Sequence, residues 1–162
     1  MKFKEALDRL VKTKEFKEWK KKNKDFFLTN AFVKDSQMQI GYCRKKDNKI
    51  VSFIIGDEKI ERFEDEVFKR PDAKIIELTL DNVKIDVDKA LKIAKDKKEE
   101  IYSNEDINKN IIILHNSEQG EIWNITLISK SFNMLNFKID AKEGKLLSHE
   151  KRSLLQLGKE MK

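Results

Sequence analysis

Side chains able to do chemistry are few and scattered in this chain. His115 and His149 are its only histidines, and Cys43 is its only cysteine. Neither histidine has a second histidine, a cysteine or paired carboxylates at the intervals that close a coordination shell. A single cysteine excludes both an intrachain disulfide and a zinc–thiolate cluster. Cys43 falls at the end of an alternating run, in the phase opposite to Ile40. A catalytic thiolate there would need a nearby histidine and an electropositive pocket, and Lys45 and Lys46 supply only charge. The carboxylates Asp57-Glu58 and Glu64-Asp65-Glu66 lie in turns and charged runs, where solvation keeps them ordinary acids rather than tuned general acids. Asp140 reads as a turn residue that accepts backbone N–H bonds. Five glycines in the whole chain form no GxGxxG and no phosphate-binding loop. The expectation is a non-enzyme with no catalytic residue, no cofactor and no metal.

Contact with a partner is the other chemistry to weigh. Lysine and arginine number 35 against 29 acids, a net charge of +6. Such a balance fits either a polyanion footprint or a lysine-rich solvated surface. Only Arg9, Arg44, Arg62, Arg70 and Arg152 are arginines, whereas bidentate phosphate and base readers lean on arginine. The solvated surface is therefore the leading reading, and specific nucleic-acid binding is not expected. Lys20, Lys21, Lys22 and Lys24 stand beside Trp19 and form the candidate partner or anion contact. Trp19 either packs on the sheet edge or serves as an exposed anchor. Trp123 shares an alternating stripe with Ile125 and Leu127 and reads as core.

These residues must be positioned by secondary elements, and the pattern is clear. Phe3, Ala6, Leu7, Leu10 and Val11 make one face of an amphipathic helix. Phe16 and Trp19 break its phase, so Thr13 marks a kink or the start of a second short helix. Strand-like runs follow at 26–33, 38–42, 50–55 and 60–63, separated by the turn signals Lys45–Lys49 and Gly56–Lys59. Pro71 marks a break before the apolar run 75–80. Asp86 is placed to cap a second helix with Val87, Ala90, Leu91, Ala94 and Ile101 in phase. Residues 103–110 read as a loop. Strands are expected at 110–114, 122–128 and 134–139, then a hairpin turn over Asp140–Lys145 with Gly144 at positive φ. A last strand starts at Leu146-Leu147, and a short helix over 151–157 is expected to end at Gly158.

The second half echoes the first. Ala6-Leu7 precedes Ala90-Leu91 by 84 positions, and Phe53 and Ile55 precede Phe137 and Ile139 by the same interval. Between these anchors Met38-x-Ile40-x-Tyr42 matches Trp123-x-Ile125-x-Leu127 with a slip of one. A period this long exceeds the roughly 20–50 residues of solenoid repeats and reads as a duplicated small domain. The expected fold is α+β, a tandem duplication in which each half is a helix or helix pair packed on a three- to four-stranded antiparallel sheet. The units would be 1–70 and 85–162, joined by 71–84 and packed together, because halves of this size are marginal alone.

Three segments carry a family resemblance: Asp88–Ala94 on the second helix, Trp123–Leu127 on a middle strand, and Phe137–Leu147 at the last hairpin. The hairpin holds Asp140-Ala141-Lys142-Glu143-Gly144. Together, over roughly residues 83–157, they resemble a PepSY-type domain. In the first half Gly56-Asp57-Glu58-Lys59 replaces the Asp-Ala-x-x-Gly turn. The resemblance implies a helix on an antiparallel sheet and a binding or regulatory module for a protein or peptide. Paired helix-plus-sheet halves also occur in the β-lactamase-inhibitor-protein architecture, by analogy of fold alone. No apolar run reaches the roughly 18 residues of a membrane-spanning helix. With one cysteine and an amphipathic start lacking a leader pattern, the expected setting is the cytoplasm.

Overall fold

The computed structural model describes residues 2–34, 37–66 and 75–156. The chain is an α+β protein built on one eight-stranded antiparallel sheet. Two helices, α1 (Phe3–Lys12) and α2 (Lys14–Lys22), precede the strands β1 (Phe26–Lys34), β2 (Gln37–Arg44), β3 (Lys49–Ile55) and β4 (Ile60–Glu66). A single 3-10 turn, Leu80–Asn82, leads to α3 (Val87–Ile101). Then come β5 (Ile107–Asn116), β6 (Glu121–Ser129), β7 (Asn133–Asp140) and β8 (Leu146–Ser153).

Thr13 explains the break in the first helical stripe. It ends α1 and caps α2, and its hydroxyl accepts from the Phe16 N–H at 3.2 Å. Asp86 caps α3 as expected, accepting from Val87 N–H at 2.7 Å and, across the chain, from Phe3 N–H at 3.2 Å. Gly144 sits at φ +80 in the last hairpin, where Asp140 accepts the Glu143 N–H.

The strand order β4-β3-β2-β1-β5-β6-β7-β8 makes every neighbour in the sheet a neighbour in sequence except at the central seam. Each half supplies four strands, and the two sets merge into one sheet rather than standing as separate ones. The seam joins Asn30–Val33 of β1 to Ile112–His115 of β5. On the helix side, strict alternation lines up the register partners Ala31, Ile40 and Phe53 with Leu114, Trp123 and Ile139. All six are buried, with Phe3, Ala6 and Leu10 of α1 and Ala90 and Ala94 of α3 in the same core. The expectation that Phe53, Ile55, Phe137 and Ile139 share this face holds, since none exceeds 1% exposure.

Several expectations need correction. The stretch 103–110 is not all loop: β5 starts at Ile107, because Ile107 packs on the core and pairs with Ser129. The last strand runs to Ser153 before a helical turn at 154–156, since β7 extends far enough to pair with it throughout. Leu157, Gly158 and Pro71 lie outside the described residues. Ile101 is exposed, and α3 instead buries Lys98 one turn earlier. The apolar run 75–80, expected only to follow a break, is irregular to Thr79 and seats only Leu78 fully in the core.

Candidate functional site

Among the described residues no three or more His, Cys, Asp or Glu side chains come together in a way that could hold a metal ion. His149 lies on β8, and its Nδ1 is 2.8 Å from the Tyr102 hydroxyl. His115 is half-buried, and desolvation holds its pKa below the ordinary histidine value, with Lys138 adding to that direction. Cys43 is fully buried in β2, which gives an attacking thiolate no access to substrate.

Of the candidate contact, Trp19 is buried, whereas Lys21, Lys22 and Lys24 are exposed. Trp19 is not an exposed anchor: it is 6% exposed, with ring centroids 5.1 Å from Phe53, 5.2 Å from Phe26, 5.7 Å from Tyr42 and 5.8 Å from Phe16. The reason is the break at Thr13, which rotates α2 so that Phe16 and Trp19 point at the sheet. Lys20 is committed to the backbone, its Nζ donating to Phe26 O at 2.6 Å and Lys24 O at 3.3 Å. Lys21 and Lys24 line an open surface hollow with Lys17 and Lys20 over Phe16. Lys22 lies on the other flank, among Glu15, Glu18, Arg62 and Glu64. Lys20 and Lys24 also line a neighbouring hollow with Phe26, Phe27 and Tyr42.

Sequence reasoning missed three buried charged groups. Lys98 buries its stem and pairs with Glu99 at 2.7 Å. Glu105 accepts from Lys151 at 2.8 Å and from Asn133 Nδ2 at 2.8 Å. These bonds hold its carboxyl below the ordinary glutamate pKa, Lys151 contributing most. Glu121, 1% exposed, accepts from Thr79 N–H at 2.9 Å and so ties the connecting segment to β6. Its Oε2 has no hydrogen-bond partner among the described residues. The available signal was phase: Glu121 and Ser129 fall on the same face of the strand as Trp123, Ile125 and Leu127, so both were bound for the core. One carboxylate serving a backbone amide is a latch rather than an acid–base pair.

Two further surfaces among the described residues are shaped to take a ligand. The first is the sheet face opposite the helices. There Phe32 aligns with Gln39 and Ile54 on one side, and with Ile113 and Asn124 on the other. These side chains are half-buried. An apolar middle is thus bordered by a polar ladder in which Asn136 Nδ2 donates to Asn124 Oδ1 at 2.6 Å and Thr126 Oγ1 at 3.1 Å. Ile75 and Ile76 of the connecting segment help enclose a groove of about 330 Å³ on this face, with Phe32, Ile113 and His115. Gly41 belongs here because the Asn30 side chain lies over it: a Cβ would meet Asn30 Oδ1 at 2.7 Å.

The second surface is a cleft of about 620 Å³ at one end of the seam, between α3, β5 and the β1–β2 hairpin. It exists because the central strands are staggered. β5 begins at Ile107 but pairs with β1 only from Ile112, so among the described residues no strand flanks Ile107–Ile111 on the β1 side.

An α+β protein whose helices cover one face of a continuous antiparallel sheet is the class these features define. No family model and no curated protein matches the chain. Among solved structures it is similar to that of "a putative lipoprotein" from Clostridium difficile 630. The TM-score is 0.58 and the identity 15%, over 85% of this chain and 90% of the other. At that identity the likeness establishes the shared fold.

Proposed function

We propose that this chain is a non-enzymatic binding module, made of two PepSY-like halves, that recognises a protein or peptide. The observation that carries the reading is the helix-free sheet face, with half-exposed Phe32, Ile50, Ile54 and Ile113 bordered by asparagine, glutamine and threonine. An apolar centre with a polar rim is the composition of a recognition surface. The duplicated architecture is supported by register. Ile40 pairs with Phe53 and Met38 with Ile55, while Ile125 pairs with Phe137 and Trp123 with Ile139. These are the positions that the sequence aligns between halves.

The reading does not depend on compartment. Proteins and peptides are available both in the cytoplasm expected from the lone cysteine and outside it. Among the described residues no helix is long and apolar enough to cross a membrane.

The test is capture by the immobilised chain from nuclease-treated extract of its own cells, beside the variant Ile54→Lys/Ile113→Lys. The wild type should retain a defined protein that the variant loses, with the variant's denaturation midpoint little changed because both sites are partly exposed. Retention by both proteins alike would overturn the reading. So would saturable submicromolar binding of single- or double-stranded nucleic acid at about 150 mM salt, lost on replacing Lys20, Lys21, Lys22 and Lys24. Phosphate contacts alone give only about 10⁻⁴–10⁻⁶ M under such conditions.

A further inference from the structure

The seam between the halves has two ends, and the stagger of β1 and β5 opens a wedge at each. At one end β1 begins at Phe26 but pairs with β5 only from Asn30. This wedge is filled by the chain's own connecting segment. Leu78 N–H donates to Leu28 O at 2.9 Å, and Glu77 O accepts from Asn116 Nδ2 at 3.1 Å. The Leu78 side chain, 4% exposed, completes the core there. Lys20, Lys24 and Asp25 line the adjoining surface with Glu77.

The other end repeats this geometry without an occupant among the described residues. Leu28 pairs with Tyr42 as Asn110 pairs with Leu127, so Asn110 holds the position equivalent to Leu28. Met38, Val87, Leu91 and Ile112 supply apolar walls. Lys34, Lys109 and Asp88 repeat the charge set of two lysines and one aspartate. Beside them the backbone of Ile107–Ile111 offers alternate N–H and C=O groups that no β1 residue pairs with among the described residues.

We propose that this second wedge binds an extended segment of a partner protein, added as a strand along Ile107–Ile111. Its ligand carries a large aliphatic residue beside a carboxylate, the pair that Leu78 and Glu77 present in the first wedge. Backbone hydrogen bonds supply affinity and the apolar walls select the side chain, as in other strand-addition sites. Lys34 and Lys109 favour the acidic neighbour. The proposal rests on the reading of the chain as a binding module and names one of its sites and the class of peptide it takes.

The probe is a fluorescent peptide with the sequence Ile-Ile-Glu-Leu-Thr-Leu on a Gly-Ser spacer, titrated against the intact protein by anisotropy. Two control peptides carry lysine for the glutamate or asparagine for the central leucine. Saturable binding is expected, weakened about tenfold or more by Leu91→Arg or by the asparagine peptide, and less strongly by Lys109→Glu or the lysine peptide. Hydrogen exchange should slow at the amides of Asn108–Ile111 when the peptide is bound. Ile54→Lys/Ile113→Lys, on the sheet face opposite the helices and outside the wedge lining, should leave peptide binding intact, so the wedge and the face fail or succeed separately. No saturable binding up to millimolar peptide would overturn the proposal, as would binding indifferent to Leu91→Arg in a variant whose denaturation midpoint matches wild type. A concentration-dependent dimer in sedimentation, abolished by Leu91→Arg, would assign the wedge to a second copy and overturn it equally.

Discussion

Phe137→Ala should lower stability by about 3–5 kcal/mol, the range for deleting a fully buried phenylalanine. Phe137 is 0% exposed and pairs with Ile125 on β6 and His149 on β8. Its ring packs edge-on to Tyr102 at the end of α3, 6.1 Å between centroids. The loss therefore combines transfer of the ring to water with a cavity between α3 and the sheet that rigid strands close poorly. Chemical denaturation checks it through the midpoint, with the slope held constant. A midpoint within error of wild type would mean that the α3–sheet layer is packed differently.

Trp19→Ala should cost a comparable amount, about 3–5 kcal/mol, and Trp19→Phe clearly less. Four aromatic rings, Phe16, Phe26, Tyr42 and Phe53, surround the indole at 5.1 to 5.8 Å, mostly edge-on. Such pairs add about 0.5–1.5 kcal/mol beyond area burial. Tyr42 reports on the same packing, since desolvation pushes its hydroxyl up to about 12. Opening the cluster should bring that titration back towards 10, read by ultraviolet difference absorbance. If Trp19 were an anchor for a partner, alanine there would reduce binding and leave the denaturation midpoint alone. That result would contradict its burial.

Much of the fold was legible because hydrophobic period and spacing encode it locally. The alternation around Phe53 and Phe137 marked both as core, and both are buried, Phe53 paired with Ile40 and Phe137 with Ile125. The break at Thr13 was visible because Phe16 and Trp19 leave the stripe of Phe3, Ala6 and Leu10. What stayed hidden depends on partners distant in sequence. Nothing near Trp19 announces that Phe53 lies under it; lysines on three following positions made the site look like surface. Glu105 looks like an ordinary surface acid until Lys151 is brought to it, and the phase that sends Glu121 inward does not name the Thr79 amide that meets it. The cleft at Ile107–Ile111 arises from the difference between where two strands begin and where they meet. That difference is a property of the pairing, and no residue in the segment encodes it.

The seam also has a kinetic consequence. Each strand other than at that junction finds its partner across a short hairpin, whereas Ala31 must find Leu114, 83 positions away by their numbers. The entropy of closing one long loop thus falls on a contact of four residue pairs. Two meanders can assemble quickly and independently, and their joining sets the pace. Folding-rate measurements on seam variants such as Leu114→Ala should show slowed refolding, while equivalent losses at the outer strands β4 and β8 should act mainly on unfolding. The central junction is then the last part of the sheet to form and the first whose weakening would let the two halves part while each keeps its hairpins.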